Sequence, residues 1–323
     1  MTTSIILDVD TGVDDALAIL TAALSPEIEL VACTTTWGNV DVDTAARNTA
    51  FVLDMVGGAD VPVARGAEGP SNGHVATFSP EVHGEDGQGG QADTSFVPAL
   101  TAETAPELII RLSHERPGQL HLVAVGPLTN LAAALDADPT LPERIREVTI
   151  MGGAFLDPGN ITPAAEANIW HDPEAAQRVV EASWTCTFVG LDVTMRDMLE
   201  EHHLAVLEVG GEIGRYCARI LDFYYDFYRG ETGRRCAGNH DALAVGIAAG
   251  LATVTLAPVV PIEIDTTDGP NRGRTTADLR TMHRGWPAVD GARHRVVLGT
   301  EPGFSDRMVA LLAAASVSVD VAR

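Results

Sequence analysis

The chain has 323 residues, 46% of them apolar, enough to bury a sizeable core in one large domain or two smaller ones. Acidic residues outnumber basic ones 45 to 21, a formal charge of −24, and with no lysine present arginine carries every fixed positive charge. That balance argues against nucleic-acid backbones and anionic membranes as partners, since both call for basic patches. No apolar run reaches the roughly 18 residues that span a bilayer, and Met1 leads into a strand pattern without a charged leader. Cys33, Cys186, Cys217 and Cys236 show no paired spacing, so we expect reduced core thiols in a soluble, cytoplasmic protein.

The β-branched run at Ile5 and Ile6 predicts a buried strand, and it ends in four carboxylates within eight residues: Asp8, Asp10, Asp14 and Asp15. Asp14 and Asp15 open an apolar helical pattern, where free N–H groups favour acids. Capping accounts for one or two of the four. Four at one strand end repel one another unless a cation neutralises them, which points to a hard-metal site.

A second strand is predicted over 28–36, then a helix over 41–56 and a short strand near 61–63. Residues 65–98 are rich in Gly, Ser, Pro, Asp and His, and a loop of that length inside a domain is usually functional or disordered. Its His83-Gly84-Glu85-Asp86-Gly87 core favours function. Alternation then resumes, with helices over 102–114, 128–135 and 173–182 and strands over 120–125, 148–151 and 186–193. Residues 195–251 read as helical apart from a loop at 230–239. Strand-like pieces at 259–264 and 294–298 and a closing helix at 305–314 complete the chain. This predicts an α/β fold with an open, mainly parallel central sheet flanked by helices. The chain is expected to form one domain, 1–323, with a mostly helical insertion around 195–250.

Ligands of such sheets bind at the carboxyl ends of the strands. Asp8 and Asp10 stand at the first of these ends and Asn39 after the second. The Val125 carbonyl follows the 120–125 strand, Asn160, Glu166 and Asn168 lie beyond 148–151, and Asp192 ends 186–193. Asp241, after Asn239 and His240, opens an apolar helix and reads equally as its cap. Oxygen-only ligands suit Ca²⁺ or Mg²⁺ rather than zinc. An EF-hand fails, because counting from Asp8 or Asp10 puts Val13 or Asp15 where Gly is required and Ile19 or Thr21 where Glu is required. Asp8-Val9-Asp10 is also similar to the opening of aspartate-nucleophile (DxD-type) phosphatases, but Gly12 replaces their Thr or Val and no lysine exists to hold phosphate.

The ordered motifs resemble those of the nucleoside hydrolases, ribohydrolases of the inosine–uridine type, over nearly the whole chain. The opening signature stands as Asp8-Val9-Asp10-Thr11-Gly12-Val13-Asp14-Asp15. It is followed by Thr36-Trp37-Gly38-Asn39, the His83 block, Gly126-Pro127-Leu128-Thr129-Asn130 and Met151-Gly152-Gly153. Gly159-Asn160, Glu166-Ala167-Asn168, Asp172-Pro173-Glu174 and Asn239-His240-Asp241 complete the set. The resemblance implies Ca²⁺ held by Asp10, Asp15, Asp241 and the Val125 carbonyl, with Asp10 also the general base on the attacking water. It implies Asp14 and Asn39 on the 2′- and 3′-hydroxyls of a ribose, Asn160, Glu166 and Asn168 on its 3′ and 5′ side, and Met151 against the sugar. It places His240 where a departing base is protonated and His83 in a loop that closes over it. From the aromatic cluster at 223–228 we expect Tyr225 and Tyr228 to contact the base, and Trp37 to pack behind the site.

The implied reaction is hydrolysis of a ribonucleoside to ribose and free base, in a homodimer or homotetramer. A non-catalytic Ca²⁺-dependent nucleoside or sugar binder on the same fold is the alternative.

Overall fold

A computed structural model describes residues 2–316. Among them an eight-stranded sheet forms the centre. The strands in chain order are β1 (Thr3–Val9), β2 (Ile28–Thr35), β3 (Val63–Arg65), β4 (Leu120–Ala124), β5 (Ile145–Met151), β6 (Cys186–Val189), β7 (Met198–Glu200), β8 (Cys236–Gly238), β9 (Val254–Leu256), β10 (Val259–Val260), β11 (Ile262–Ile264), β12 (Thr275–Ala277), β13 (His294–Val296) and β14 (Gly299–Thr300). The central sheet runs β10-β13-β6-β5-β4-β1-β2-β3, parallel except for the β10 edge. Three two-stranded ribbons, β7–β8, β9–β14 and β11–β12, lie outside it.

The helices are α1 (Val13–Leu24), α2 (Val42–Met55), α3 (Pro80–His83), α4 (Ala105–Glu115), α5 (Thr129–Ala137), α6 (Ala167–His171), α7 (Pro173–Glu181), α8 (Leu191–Thr194), α9 (Glu201–Glu208), α10 (Glu212–Thr232), α11 (Asp241–Ala248) and α12 (Phe304–Ala314). They cover both faces. Along β1 the side chains alternate, Ile5, Leu7 and Val9 joining one core with α1, α10, α11 and α12, and Ile6 joining the other with α4, α5 and α7. Both sets are fully buried, which is why the strand reads as a continuous apolar run.

Most expected elements stand within a few residues of their predicted bounds. The apolar run 186–193 is not one strand: β6 stops at Val189, and the chain turns into the short α8. Residues 195–251 are not all helical, because β7 and β8 pair there as an antiparallel ribbon. The piece 259–264 divides between β10 in the central sheet and β11 in a ribbon. No helix among the described residues is long and apolar enough to cross a membrane, and all four cysteines are free and buried.

From β1 the connections run outward to β2 and β3, and after α4 the chain returns to β4 on the other side of β1. The order therefore reverses between β1 and β4. Such a switch point leaves a crevice at the carboxyl ends of the two strands.

Candidate active site

Asp10 follows the end of β1 at this crevice, and it is held from the β2 side. Its Oδ2 accepts the Asn39 backbone N–H at 2.7 Å, while its Oδ1 is buried without a partner among the described residues. The backbone closes tightly around the carboxylate: a Cβ on Gly126 would stand 2.8 Å from Oδ1. Asp15, in the first turn of α1, accepts the Asp10 N–H at 3.1 Å, the Gly12 N–H at 2.8 Å and the Asn39 side-chain amide at 3.0 Å. Asn39 thus orients both acids, one through its backbone and one through its side chain.

Asp241, in the first turn of α11, completes the group. One carboxylate oxygen each from Asp14, Asp15 and Asp241 lies within 4.8 Å of the others. Asp10 and Asp14 each keep a buried Oδ1 without a hydrogen-bond partner among the described residues. Burial pushes Asp10 and Asp241 well above the usual carboxylate range, and the neighbouring acids push them further. Asp15 is raised to about 7, first by burial and then by the charge of Asp14. Acids gathered this closely, with oxygens unpaired, match the donor set of a hard divalent cation.

Asp8 stands outside the three-acid group, although its Oδ2 is also buried without a partner among the described residues. Its Oδ1 accepts Thr34 Oγ1 at 2.5 Å and Asn130 Nδ2 at 2.8 Å, and burial raises its carboxyl to about 7. The Asn130 amide also donates to the Thr35 carbonyl, so Asp8 ties β1, β2 and α5 together beneath the site. Trp37 packs behind it as well, edge-on to His171, with its ring N–H 3.3 Å from Thr129 Oγ1.

A cavity of about 480 Å³ opens above the acids, lined by Asp14, Asn39, His83, Val125, Met151, Asn160, Glu166, Asn168, His240 and Asp241 among others. Glu166 caps α6. Its two oxygens take the backbone N–H groups of Asn168, Ile169 and Gly153 at 2.8 to 3.2 Å, which hold the carboxylate rigidly although burial raises its pKa. The Asn168 amide donates to the Val125 and Met151 carbonyls at 2.8 and 3.1 Å. Asn160 braces the same loop by accepting the Ala167 N–H at 3.0 Å. Asp192 lies outside the cavity lining and instead accepts the N–H groups of Phe155, Leu156 and Asp157, shaping the loop after β5.

The long loop reaches the site through α3. His83 Nδ1 accepts the Val13 N–H at 3.1 Å, so its Nε2 carries the proton of the neutral ring. Burial lowers the His83 pKa and keeps the ring neutral. His240 is also buried and lowered, with Nε2 2.6 Å from the Tyr228 hydroxyl and Nδ1 2.8 Å from Thr194 Oγ1.

The expectation for Tyr225 is corrected by the phase of α10. Tyr225 is fully buried, and its hydroxyl donates to the Glu200 carbonyl at 3.1 Å, outside the cavity. The aromatic side chains of α10 that line the cavity are Tyr224, Phe227 and Tyr228. Tyr224, which the sequence did not single out, donates to Asp14 Oδ2 at 3.1 Å. Leu191, Met195 and Glu231 also line the wall without any sequence signal, because loops and a helix end bring them there.

The family model for the inosine-uridine preferring nucleoside hydrolases matches residues 5–321. The chain is 39% identical over 284 residues to the inosine-uridine preferring nucleoside hydrolase of Crithidia fasciculata, covering 87% of this chain and 89% of the relative. It is also 39% identical over 252 residues to a pyrimidine-specific ribonucleoside hydrolase of Salmonella arizonae, covering 76% and 79%. Among solved structures, the purine-preferring ribonucleoside hydrolase of Gardnerella vaginalis superposes with a TM-score of 0.86 at 31% identity, over 97% of this chain and all of that one (100%).

Proposed function

The chain belongs to the inosine-uridine preferring nucleoside hydrolases and is a ribonucleoside N-glycosyl hydrolase, and from that premise we propose that it works with Ca²⁺, held by Asp10, Asp15, Asp241 and the Val125 carbonyl. One observation carries this reading: Asp14, Asp15 and Asp241 bring carboxylate oxygens within 4.8 Å of one another, and among the described residues the buried Oδ1 atoms of Asp10 and Asp14 have no hydrogen-bond partner. A bound divalent ion lowers the pKa of a water it holds and orients the ribose hydroxyls.

Asp10, steered by the Asn39 N–H, accepts the proton of the attacking water. Asp14 and Asn39 take the 2′- and 3′-hydroxyls. Glu166, Asn160 and the Oδ1 of Asn168 take the 3′ and 5′ side, and Met151 packs against the ring. As the glycosidic bond breaks, positive charge grows on the sugar, and the fixed carboxylates stabilise it. The leaving base receives its proton at the opposite wall, where Tyr228 and His240 are hydrogen-bonded to each other. Because several polar groups address ribose hydroxyls, a 2′-deoxyribonucleoside leaves buried partners unpaired and is rejected.

The test is ribose release from inosine and uridine by protein stripped with a chelator and then restored with Ca²⁺. Turnover that is lost on stripping and returns with Ca²⁺ is the expected result. Turnover unaffected by stripping overturns the metal assignment. Saturable Ca²⁺-dependent binding of nucleoside without ribose release identifies a binder instead.

A further inference from the structure

Parallel strands covered on both faces are expected to be apolar throughout, yet four adjacent strands depart from this on one face of the sheet. His121 on β4 stands opposite Glu147 on β5, Thr149 on β5 opposite Thr187 on β6, and Thr187 opposite Arg295 on β13. The row crosses the amino-terminal part of the strands, away from the carboxyl-end crevice that holds the acids. It lines a cleft of about 430 Å³, whose other wall is mostly apolar, with Ile247 and Ala248 from the last turn of α11, Val254 and Ala257, and carries the hydroxyl of Thr255.

The row satisfies only part of its own hydrogen-bonding capacity. His121 Nε2 is 2.8 Å from Thr149 Oγ1. Glu147 Oε1 accepts both Thr187 Oγ1 at 3.1 Å and an Arg295 nitrogen at 2.6 Å. Among the described residues His121 Nδ1, Glu147 Oε2, the rest of the Arg295 guanidinium and the Thr255 hydroxyl have no side-chain partner. His121 is only 5% exposed as a residue and lines the cleft, so its open nitrogen is free for a partner that enters there.

The site is neutral as a whole, since Glu147 and Arg295 offset each other and the buried imidazole is uncharged. Charged ligands gain little there. A carboxylate acceptor next to a guanidinium donor, across from an apolar wall, matches a flat ring with an N–H beside a C=O. We propose that this cleft is a second binding site for a small neutral imide or lactam ring, the chemical class of the free bases released by the hydrolase. A ring bound there rests against the last turn of α11, whose first turn carries Asp241. The helix has eight residues, about 12 Å at 1.5 Å per residue.

Histidine-selective ¹⁵N NMR on the full chain, titrated with uracil and separately with succinimide, tests this. His83 and His240 report on the front cavity and His121, identified with His121→Gln, reports on the cleft. We expect the His121 signals to shift saturably in the wild type. In Ala257→Phe, which fills the cleft, and in Arg295→Met, which removes an exposed donor, the His121 shift should be lost while His83 and His240 still respond. A response to both compounds assigns recognition to the imide edge, and a response to uracil alone assigns the site to the released base. His121 signals that stay fixed at concentrations saturating His83 and His240 overturn the proposal, as does a His121 shift that persists in both variants.

Discussion

The Tyr228 hydroxyl stands 2.6 Å from His240 Nε2, and the other nitrogen of that ring is 2.8 Å from Thr194 Oγ1. With both ring nitrogens engaged inside the protein, we propose that a proton bound for the leaving base passes through the hydroxyl of Tyr228, which lines the cavity. Tyr228→Phe should lower kcat on inosine by roughly 10²-fold, the low end of the usual range for general acid catalysis. A riboside with p-nitrophenoxide as leaving group needs no such proton, and its kcat should change little. Equal losses on both substrates would show that Tyr228 acts only through packing.

Tyr224 and Tyr225 are neighbours in sequence with opposite surroundings. Tyr224 bonds Asp14, whereas Tyr225 bonds the Glu200 carbonyl behind α10. Tyr224→Phe should raise KM or lower kcat several-fold by freeing Asp14. Tyr225→Phe should leave both constants near wild type and lower stability by about 1 kcal/mol, the usual worth of one buried hydrogen bond. Steady-state kinetics with thermal unfolding of the two variants separates these outcomes.

That contrast also shows where sequence reading reaches its limit. The β1 acids were legible because a buried strand, a helix start and four carboxylates coincide within eight residues. The aromatic run at 223–228 gave no phase, since Tyr224, Tyr225 and Tyr228 are all buried, the first and last on the cavity side of the helix and Tyr225 on another. The run at 186–193 hid a boundary for a related reason. Short apolar stretches suit strand and buried helix alike, and the turn at Gly190 depends on Gly153, whose carbonyl accepts the Leu191 N–H. The ribbon strands β7 and β8, three residues each, are too short to show a period.

Buried carboxyls make the metal-free protein sensitive to pH, Asp8 and Asp15 alongside Asp10, Asp241 and Glu166. Asp8 and Asp15 sit near 7 in the folded state, well above the value of about 4 for an unfolded chain. Between those values the native state holds protons that the unfolded state has released, so the stability these carboxyls contribute is full below about pH 4 and is lost as the pH rises through 7. Buried neutral histidines such as His121 and His171, lowered to about 4, contribute in the opposite sense up to about pH 6.5, so the Tm of chelated protein should fall between about pH 6.5 and 7.5. Added Ca²⁺ should restore it at pH 7 to 8, by about 2.7 kcal/mol at a hundredfold excess over Kd. Calorimetry of chelated protein showing a flat or rising Tm between about pH 6.5 and 7.5 would contradict the arrangement.

Gly12 has ordinary backbone angles, φ −90° and ψ −158°, so any residue could adopt its conformation. What it lacks is room. A Cβ there would press on the His83 imidazole and stand 2.8 Å from Asn39 Nδ2. Those two side chains arrive from distant parts of the chain, one accepting the Val13 N–H and the other holding Asp15. Gly12→Ala should keep the fold, because the displaced groups face the cavity rather than the core. It should move Asn39 off Asp15 and lower kcat/KM by at least about tenfold, the equivalent of 1.4 kcal/mol. Ca²⁺ affinity measured by calorimetry should weaken in parallel, since Asn39 orients Asp10 and Asp15 together. Unchanged kinetics in a folded Gly12→Ala protein would mean that the His83 loop yields freely and does not fix the acids.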